Sequence, residues 1–495
     1  MCATRACGRG GKLGEAGDFR FTFKRQSDDG LENRHDWIDS YSKTLFDFRA
    51  DFVLTERDSL QFSAGHVDAV TQRGRLSTTT WLSNPNNPIR DFDQHSSYLQ
   101  LAWRRALSSG SDFQLRYAYT LDEGSDAYLY PVGGVPSLPY DPWGARGVRH
   151  ELEGQHNLSL NEATRLVWGA GWRRDTVSAA TTLADQGEVR RDVGRLFGNV
   201  EWQPTNWFTG NLGLSWEDDN LAGEHLAPRL SAAFHLSPEN TVRFGASRAY
   251  RTGSVVDYRG NWWRGPTQFQ FGGDPNMPAE QMDTLEIGYL GDWRDKRMSL
   301  DVRLFEEKVY NRLLVIDQDI RTSLIPDQMS AIQNIRMRGL EFQYKWQIFD
   351  GTRVLLNQAF IRAKADFTEE ALANAWSTLS LWDPTKREAI DELAERAAPR
   401  HATSLMVMQK LPWSLELTLA GYWQGKSKWS VNTWADKSQR YDAKLAYPFK
   451  WGGQKGELAY VGQSLNGGHP EYKAYGDLAA RVVDRRQWIT LRLDF

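Results

Sequence analysis

Apolar and polar residues alternate one by one along most of this chain. "FRFTFK" sets Phe19, Phe21 and Phe23 against Arg20, Thr22 and Lys24, and "GLEFQYKW" sets Leu340, Phe342, Tyr344 and Trp346 against Glu341, Gln343 and Lys345. Successive side chains of a strand point to opposite faces, so each stretch is a strand with one apolar and one polar face. The same period predicts about 20 strands between residues 17 and 495. The last, "QWITLRLDF", carries Gln487, Ile489, Leu491, Leu493 and Phe495 on one face, and Trp488, Thr490, Arg492 and Asp494 on the other.

The links between these segments say how the strands are joined. "TERD", "SSGS", "LNEA", "QPTN", "SPEN", "DWRDK", "FDGT", "LPW" and "KWGGQK" are tight turns, and almost all offer Pro, Gly, Asn or Ser. Each is followed by a longer polar link, the longest near residues 75–94, 123–147, 251–281, 366–398 and 465–483. A strict short-long alternation predicts an up-and-down meander whose two rims differ, which is the pattern of a transmembrane antiparallel β-barrel. In "TEEALANAW...REAIDELAERAA" the spacing becomes helical and predicts a short helix or two over the mouth.

Composition then narrows the class. The mean hydropathy is -0.59, and no run approaches the roughly 18 apolar residues a spanning helix needs. That leaves barrel strands open, since only half of their residues meet lipid. Aromatic residues make up 12% of the chain, as expected where girdles mark both bilayer interfaces. A net charge of -3 gives no reason to expect nucleic acid as a partner. Cys2 and Cys7 both lie in the opening "MCATRACGRGG", so no disulfide framework and no cysteine metal site is predicted.

Several stretches, in order, are similar to the barrel of TonB-dependent outer-membrane receptors: "LAPRLSAAFHL", "TVRFGASRAYRTGS", "DPNMPAEQMDTLEIGYLG", "LDVRLFEEKVYNRL", "NIRMRGLEFQYKW", "APRHATSLMV" and the terminal Phe495. "GGKLGEAGDFRFTFKR" resembles an early barrel hairpin of the same family. The resemblance implies an all-β barrel of the 22-stranded receptor type in the outer membrane of a Gram-negative cell. It further implies uptake of a scarce ligand, most commonly a ferric siderophore, with cobalamin, haem or an oligosaccharide as alternatives, driven by the TonB complex in the full-length protein. Two positions depart from the family's pattern: Thr252-Gly253 follow Tyr250-Arg251 where Pro is usual, and Pro278-Ala279-Glu280 replaces Lys-Pro-Glu. No apolar leader, TonB box or plug domain is recognisable. The expectation is therefore of an N-terminally truncated receptor, with residues 1–13 a partial early strand or unmatched sequence and 14–495 the barrel.

Candidate chemistry concentrates in "SRAYRTGSVVDYRGNWWRGPTQFQFGG". Arg248, Arg251, Arg259 and Arg264 are interleaved there with Tyr250, Tyr258, Trp262, Trp263, Phe269 and Phe271. Guanidinium groups pair with oxyanions while aromatic faces stack on rings, a combination suited to a flat anionic ligand. The alternative is that the aromatics belong to the interfacial girdle and the arginines bond within the loop or to lipid phosphate. Inward charges such as Arg20, Lys24, Arg116, Glu341, Lys345, Arg492 and Asp494 could line a transport path or be ordinary lumen polarity.

The nine histidines show no metal-binding spacing, and the carboxylates of "WEDDN" read as solvated loop charge. His150 and His156 share a face with leucines and read as girdle residues. No nucleophile elbow or phosphate loop is present, so neither catalysis nor a cofactor is expected. A barrel enzyme and a soluble β-propeller are the other classes considered. The first needs a catalytic arrangement at a strand end, and the second a repeat of roughly 40–50 residues, and neither is seen. The expected partners are outer-membrane lipid and one small ligand, with the barrel a monomer.

Overall fold

The computed structural model describes residues 3–30, 40–74, 76, 82–85, 87–132, 135–264, 268–316, 327–373, 384–430, 433–472 and 481–494. Phe495 lies outside them. The main sheet is an antiparallel meander of 21 staves, from β1 (Ala3–Leu13) and β2 (Gly17–Asp28) to β29 (Arg486–Asp494). Every stave pairs with its neighbour in sequence, apart from short strands inserted in the outer links. The segment Ala3–Leu13 is a full stave that pairs with β2 along its whole length, which brings the count to 21 where the pattern predicted about 20.

Register fixes which face is which. In β29, Ile489 and Leu491 are 71% and 65% exposed and lie opposite Tyr460 and Leu458 of β26 (Gln454–Gln463). In β17 (Glu280–Trp293), Leu285 is 62% exposed. Large apolar side chains left this open in row after row are unlike a soluble sandwich or propeller, whose strands bury them in a dry interior. Their aromatic members cluster near the short turns: Trp202, Trp207, Phe208 and Phe234 form one group with ring centroids 5.3–6.2 Å apart. Its two tryptophans suit a bilayer interface, each with an apolar body and a polar N–H tip.

The opposite face is polar and paired with itself. Arg116 of β6 (Ser111–Ser125) reaches Glu151 and Glu153 of β9 (Ala145–Asn161) at 3.2 and 3.4 Å. Arg303 of β18 (Met298–Ile316) reaches Glu286 at 2.6 Å, Glu307 at 3.2 Å and Glu341 at 3.7 Å. These carboxylates and guanidinium groups satisfy one another along the inner wall, as expected of lumen polarity.

The two rims differ as expected, with one exception. The predicted short links are all tight turns, and residues 14–16 add another between β1 and β2. On the other rim, however, β12 (Phe208–Asp219) and β13 (Gly223–Ser237) are joined by residues 220–222 alone, so the alternation of short and long is not strict. Gly223 permits that turn with φ 81°, a conformation that costs a side chain with a Cβ about 1–2 kcal/mol. Several other outer links carry structure of their own, including α1 (Val255–Arg259) with the hairpin β15 (Asn261–Arg264) and β16 (Gln268–Gly272). Two helices, α2 (Glu369–Ala373) and α3 (Pro384–Glu395), fall where the helical spacing predicted them.

Candidate functional site

The outer link 252–279 is built on a turn of helix with a reciprocal cap. The Asp257 amide donates to Ser254 Oγ at 3.3 Å, and the Ser254 amide donates to Asp257 Oδ2 at 2.7 Å. Tyr258, 1% exposed, packs with Met277 and Leu313, and burial pushes its phenol pKa up. Gly253 lies against both residues. A Cβ there would come within 2.4 Å of Met277 Cε and 3.2 Å of the Tyr258 ring, so a larger residue would require the Met277 side chain to move.

Beneath the link sits a buried ion pair. Arg191 of β11 (Glu188–Thr205) donates to Asp219 at 2.9 and 2.5 Å, to Thr252 Oγ1 at 2.6 Å and to the Gly253 carbonyl at 2.9 Å. Asp219 is 4% exposed, so the last acidic residue of "WEDDN" is not the solvated charge expected from the sequence. Nothing in the spacing pairs Arg191 with Asp219, because their contact depends on adjacent staves ending at the same height.

The ten candidate residues divide into three groups. Arg248 of β14 (Asn240–Arg251) is bidentate to Asp283 at 2.7 and 2.9 Å, Arg251 pairs with Glu280, and Tyr250 stacks on His225 at 4.8 Å. Tyr258 and Phe271 are buried, and Trp262 donates to the Tyr140 hydroxyl at 2.9 Å. Arg259 and Trp263 are exposed, and Phe269 stacks on Trp263 with centroids 4.7 Å apart. The Arg264 side chain lies outside the described residues. Arg259, Trp263 and Phe269 are therefore the members that are neither buried nor bonded outside the link among those described, although Trp263 Nε1 donates to Asn261 Oδ1 at 2.7 Å within the hairpin.

A larger polar cavity lies on the inner wall, and the sequence reading did not assemble it. It measures about 770 Å³ and is lined by Arg243, Asp301, Arg303, Glu341, Tyr422 and Arg440 among others. Arg440 of β25 (Ser438–Trp451) lies over the Tyr422 ring, 4.5 Å from its centroid, and its Nε is buried without a well-aligned hydrogen-bond acceptor among the described residues although Asp442 is 3.2 Å away. Such a wall can meet an anionic or zwitterionic solute with charge on several sides. Its residues come from seven staves and from the outer links, so only the register collects them.

The helix α3 is held beside the outer end of β19 (Asp327–Phe349) by Gln333, whose amide donates to Asp391 at 2.6 Å, and by Lys428, which donates to Glu392 at 2.5 Å. Burial, with Asp366 and Glu395 nearby, pushes the Asp391 carboxyl above the usual range, while Lys428 holds Glu392 below it. A raised carboxyl pKa binds a proton more tightly in the docked state. Docking of α3 is therefore expected to weaken as pH rises from the ordinary carboxylate range through the raised value. Hydrogen exchange over 384–395 should quicken across that interval in the wild type and change little in Asp391→Asn.

Register also gathers His66, Asp68 and His95, which the spacing does not bring together. His95 Nδ1 and His66 Nε2 lie 2.6 and 3.1 Å from Asp68 Oδ1, on the outer face of β4 (Asp58–Arg73) and β5 (Arg90–Ser108). Two imidazoles and one carboxylate are a donor set suited to a borderline divalent metal.

Fold and wall together define a transmembrane β-barrel with a polar lumen and a structured outer mouth. The family model described as TonB dependent receptor-like, beta-barrel matches residues 20–468, and the chain belongs to that family. Barrels of this family lie in the Gram-negative outer membrane. Among solved structures, a mutant of the ferric enterobactin receptor from Pseudomonas aeruginosa, in complex with enterobactin, is similar with a TM-score of 0.76 at 14% identity, covering 99% of this chain and 78% of that one. The FrpB iron transporter from Neisseria meningitidis is similar with a TM-score of 0.76 at 12% identity over 99% and 78% of the two chains. The siderophore receptor PirA from Acinetobacter baumannii has a TM-score of 0.72 at 10% identity over 94% and 73%. At these identities the likeness is one of fold. No curated protein sequence matches the chain.

Proposed function

We propose that this chain is the outer-membrane barrel of a receptor that takes up a scarce small ligand, of which a ferric siderophore fits best. The observation that carries the reading is the cavity on the inner wall, where three arginines stand with two carboxylates and a tyrosine ring below an aromatic mouth. A ferric siderophore is bulky, oxygen-rich and often anionic, and such a wall offers it guanidinium donors and an aromatic face. Cobalamin, haem and oligosaccharides remain the alternatives. The similar structures include an enterobactin complex and a siderophore receptor, which supports the first choice.

In this reading Arg259, Trp263 and Phe269 make the first contact, and the ligand then settles against the Arg440 wall. Energy for release comes from the TonB complex acting on the full-length protein, and the barrel works as a monomer. Deleting the gene and growing the mutant on single ferric siderophores tests the substrate class, and undiminished growth on every one would end it. The mouth contact has its own readout. Trp263→Ala with Phe269→Ala should weaken ligand binding about tenfold, the order expected for losing an aromatic pair worth roughly 0.5–1.5 kcal/mol. Equal Kd values in isothermal titration would remove these residues from the site.

A further inference from the structure

The outer wall carries a charge arrangement that its own side chains do not resolve. Cross-strand register sets Arg338 of β19 directly opposite Arg362 of β20 (Thr352–Phe367), and Arg336 directly opposite Lys364. Two like-charged pairs, stacked one above the other, are destabilising when left alone. Glu306 of β18 accepts from Arg336 at 2.7 Å and from Arg338 at 2.6 Å, and Asp366 lies 3.4 Å from Lys364. Arg362 and Arg400 are exposed and have no carboxylate partner among the described residues. Lys308 also lies 3.8 Å from Glu306, so six cations face two carboxylates.

The face on which they stand is the one that meets lipid. Glu306 and Arg338 follow Leu304 and Leu340 two residues further along the same outward rows. Beside them is a groove of about 960 Å³, lined by Leu230, Phe244, Leu285, Ile287, Leu304 and Phe360, with Arg338, Arg362 and Arg400 also on its wall. From Phe349 at the foot of β19 up to Arg338, a rise of about 3.3 Å per residue at a tilt of about 40° gives roughly 28 Å. That height is the upper limit of an apolar band about 25 Å tall, where lipid phosphates begin.

We propose that this patch is a binding site for lipid A, the phosphorylated, multiply acylated anchor of lipopolysaccharide. Its phosphates bridge the opposed pairs Arg338/Arg362 and Arg336/Lys364, and an acyl chain lies in the groove. The width argues for this lipid over a phospholipid. The four arginines and Lys364 span β19, β20 and the start of β21 (His401–Lys410), about 10 Å of sheet, in two rows, which suits more than one phosphate. The inference rests on the outer-membrane reading, and its test separates the two.

Detergent-extracted protein is washed and its retained lipid measured by native mass spectrometry, with purified lipid A and phosphatidylglycerol added as separate arms. The wild type should retain lipid A in preference to phosphatidylglycerol. Arg362→Glu, an exposed position without a partner, should lose at least tenfold of that retention while its barrel still shows heat-modifiable migration. Retention equal to wild type, or equal binding of phosphatidylglycerol, would overturn the proposal. So would a heat-modifiable wild-type barrel that binds neither lipid, which leaves the membrane reading intact. A protein freely soluble without detergent would sink both.

Discussion

Replacing Arg191 by methionine is expected to destabilise the mouth by about 3–5 kcal/mol, the usual result of leaving one partner of a buried ion pair alone. Asp219, 4% exposed, would keep its charge in a site with little water. The same substitution removes the donors to Thr252 and Gly253, so the link 252–279 should loosen as well. Two readouts follow. The thermal midpoint of the heat-modifiable band should fall, and limited proteolysis should cut within 252–279 where the wild type resists. Arg191→Met with Asp219→Leu should recover much of the midpoint, because the orphaned charge is gone, but little of the protease resistance, because the loop contacts are not restored. A single variant as stable as the wild type would show that the pair does not anchor the mouth.

The parts of this fold that were legible in the sequence obey local rules. A period of two survives in any strand with one apolar face, so Phe19, Phe21 and Phe23 declared their side of β2 without a structure, as did Ile489 and Leu491 in β29. Turn chemistry is equally local, and the helical spacing of 384–395 stood out against the alternation around it. Ala3–Leu13 was read less well because "ATRACGRGGKL" is rich in glycine and cationic residues and poor in large apolar ones, so its alternation is faint. Its pairing with β2 is a matter of register.

The site was legible in kind but not in membership. A run dense in arginine and aromatics pointed to the link 252–279, yet within it the short-range partners decide what is free. Asp283 and Glu280 occupy Arg248 and Arg251, and the Tyr258 and Phe271 rings are buried. Those partners come from β17, beyond the reach of spacing. The same limit hid the Arg440 cavity, the Arg191–Asp219 pair and the His66, Asp68 and His95 set. Each joins residues on neighbouring staves, and a one-residue slip in register would have dissolved it.

Because so much rests on which face meets lipid, the second large effect is the one that tests it. Leu212→Arg should cost about 2–4 kcal/mol in refolding into a bilayer, the penalty for a cation near the midplane of a barrel's outer surface. Leu212 is 60% exposed and stands about 10 Å above the Phe208 ring in the aromatic group near the short turns, close to mid-height of the band. Asn211→Arg, one residue away on the inner face, should cost less than about 1 kcal/mol, since water and neighbouring carboxylates can receive the charge. A soluble protein would give the opposite order: arginine at an exposed leucine would be nearly neutral, and arginine on an enclosed face would be the costly one. The sign of the difference between the two variants therefore decides the orientation without any knowledge of the ligand. Equal penalties would mean that neither face is in hydrocarbon, and the inner cavity would then have to be read as surface.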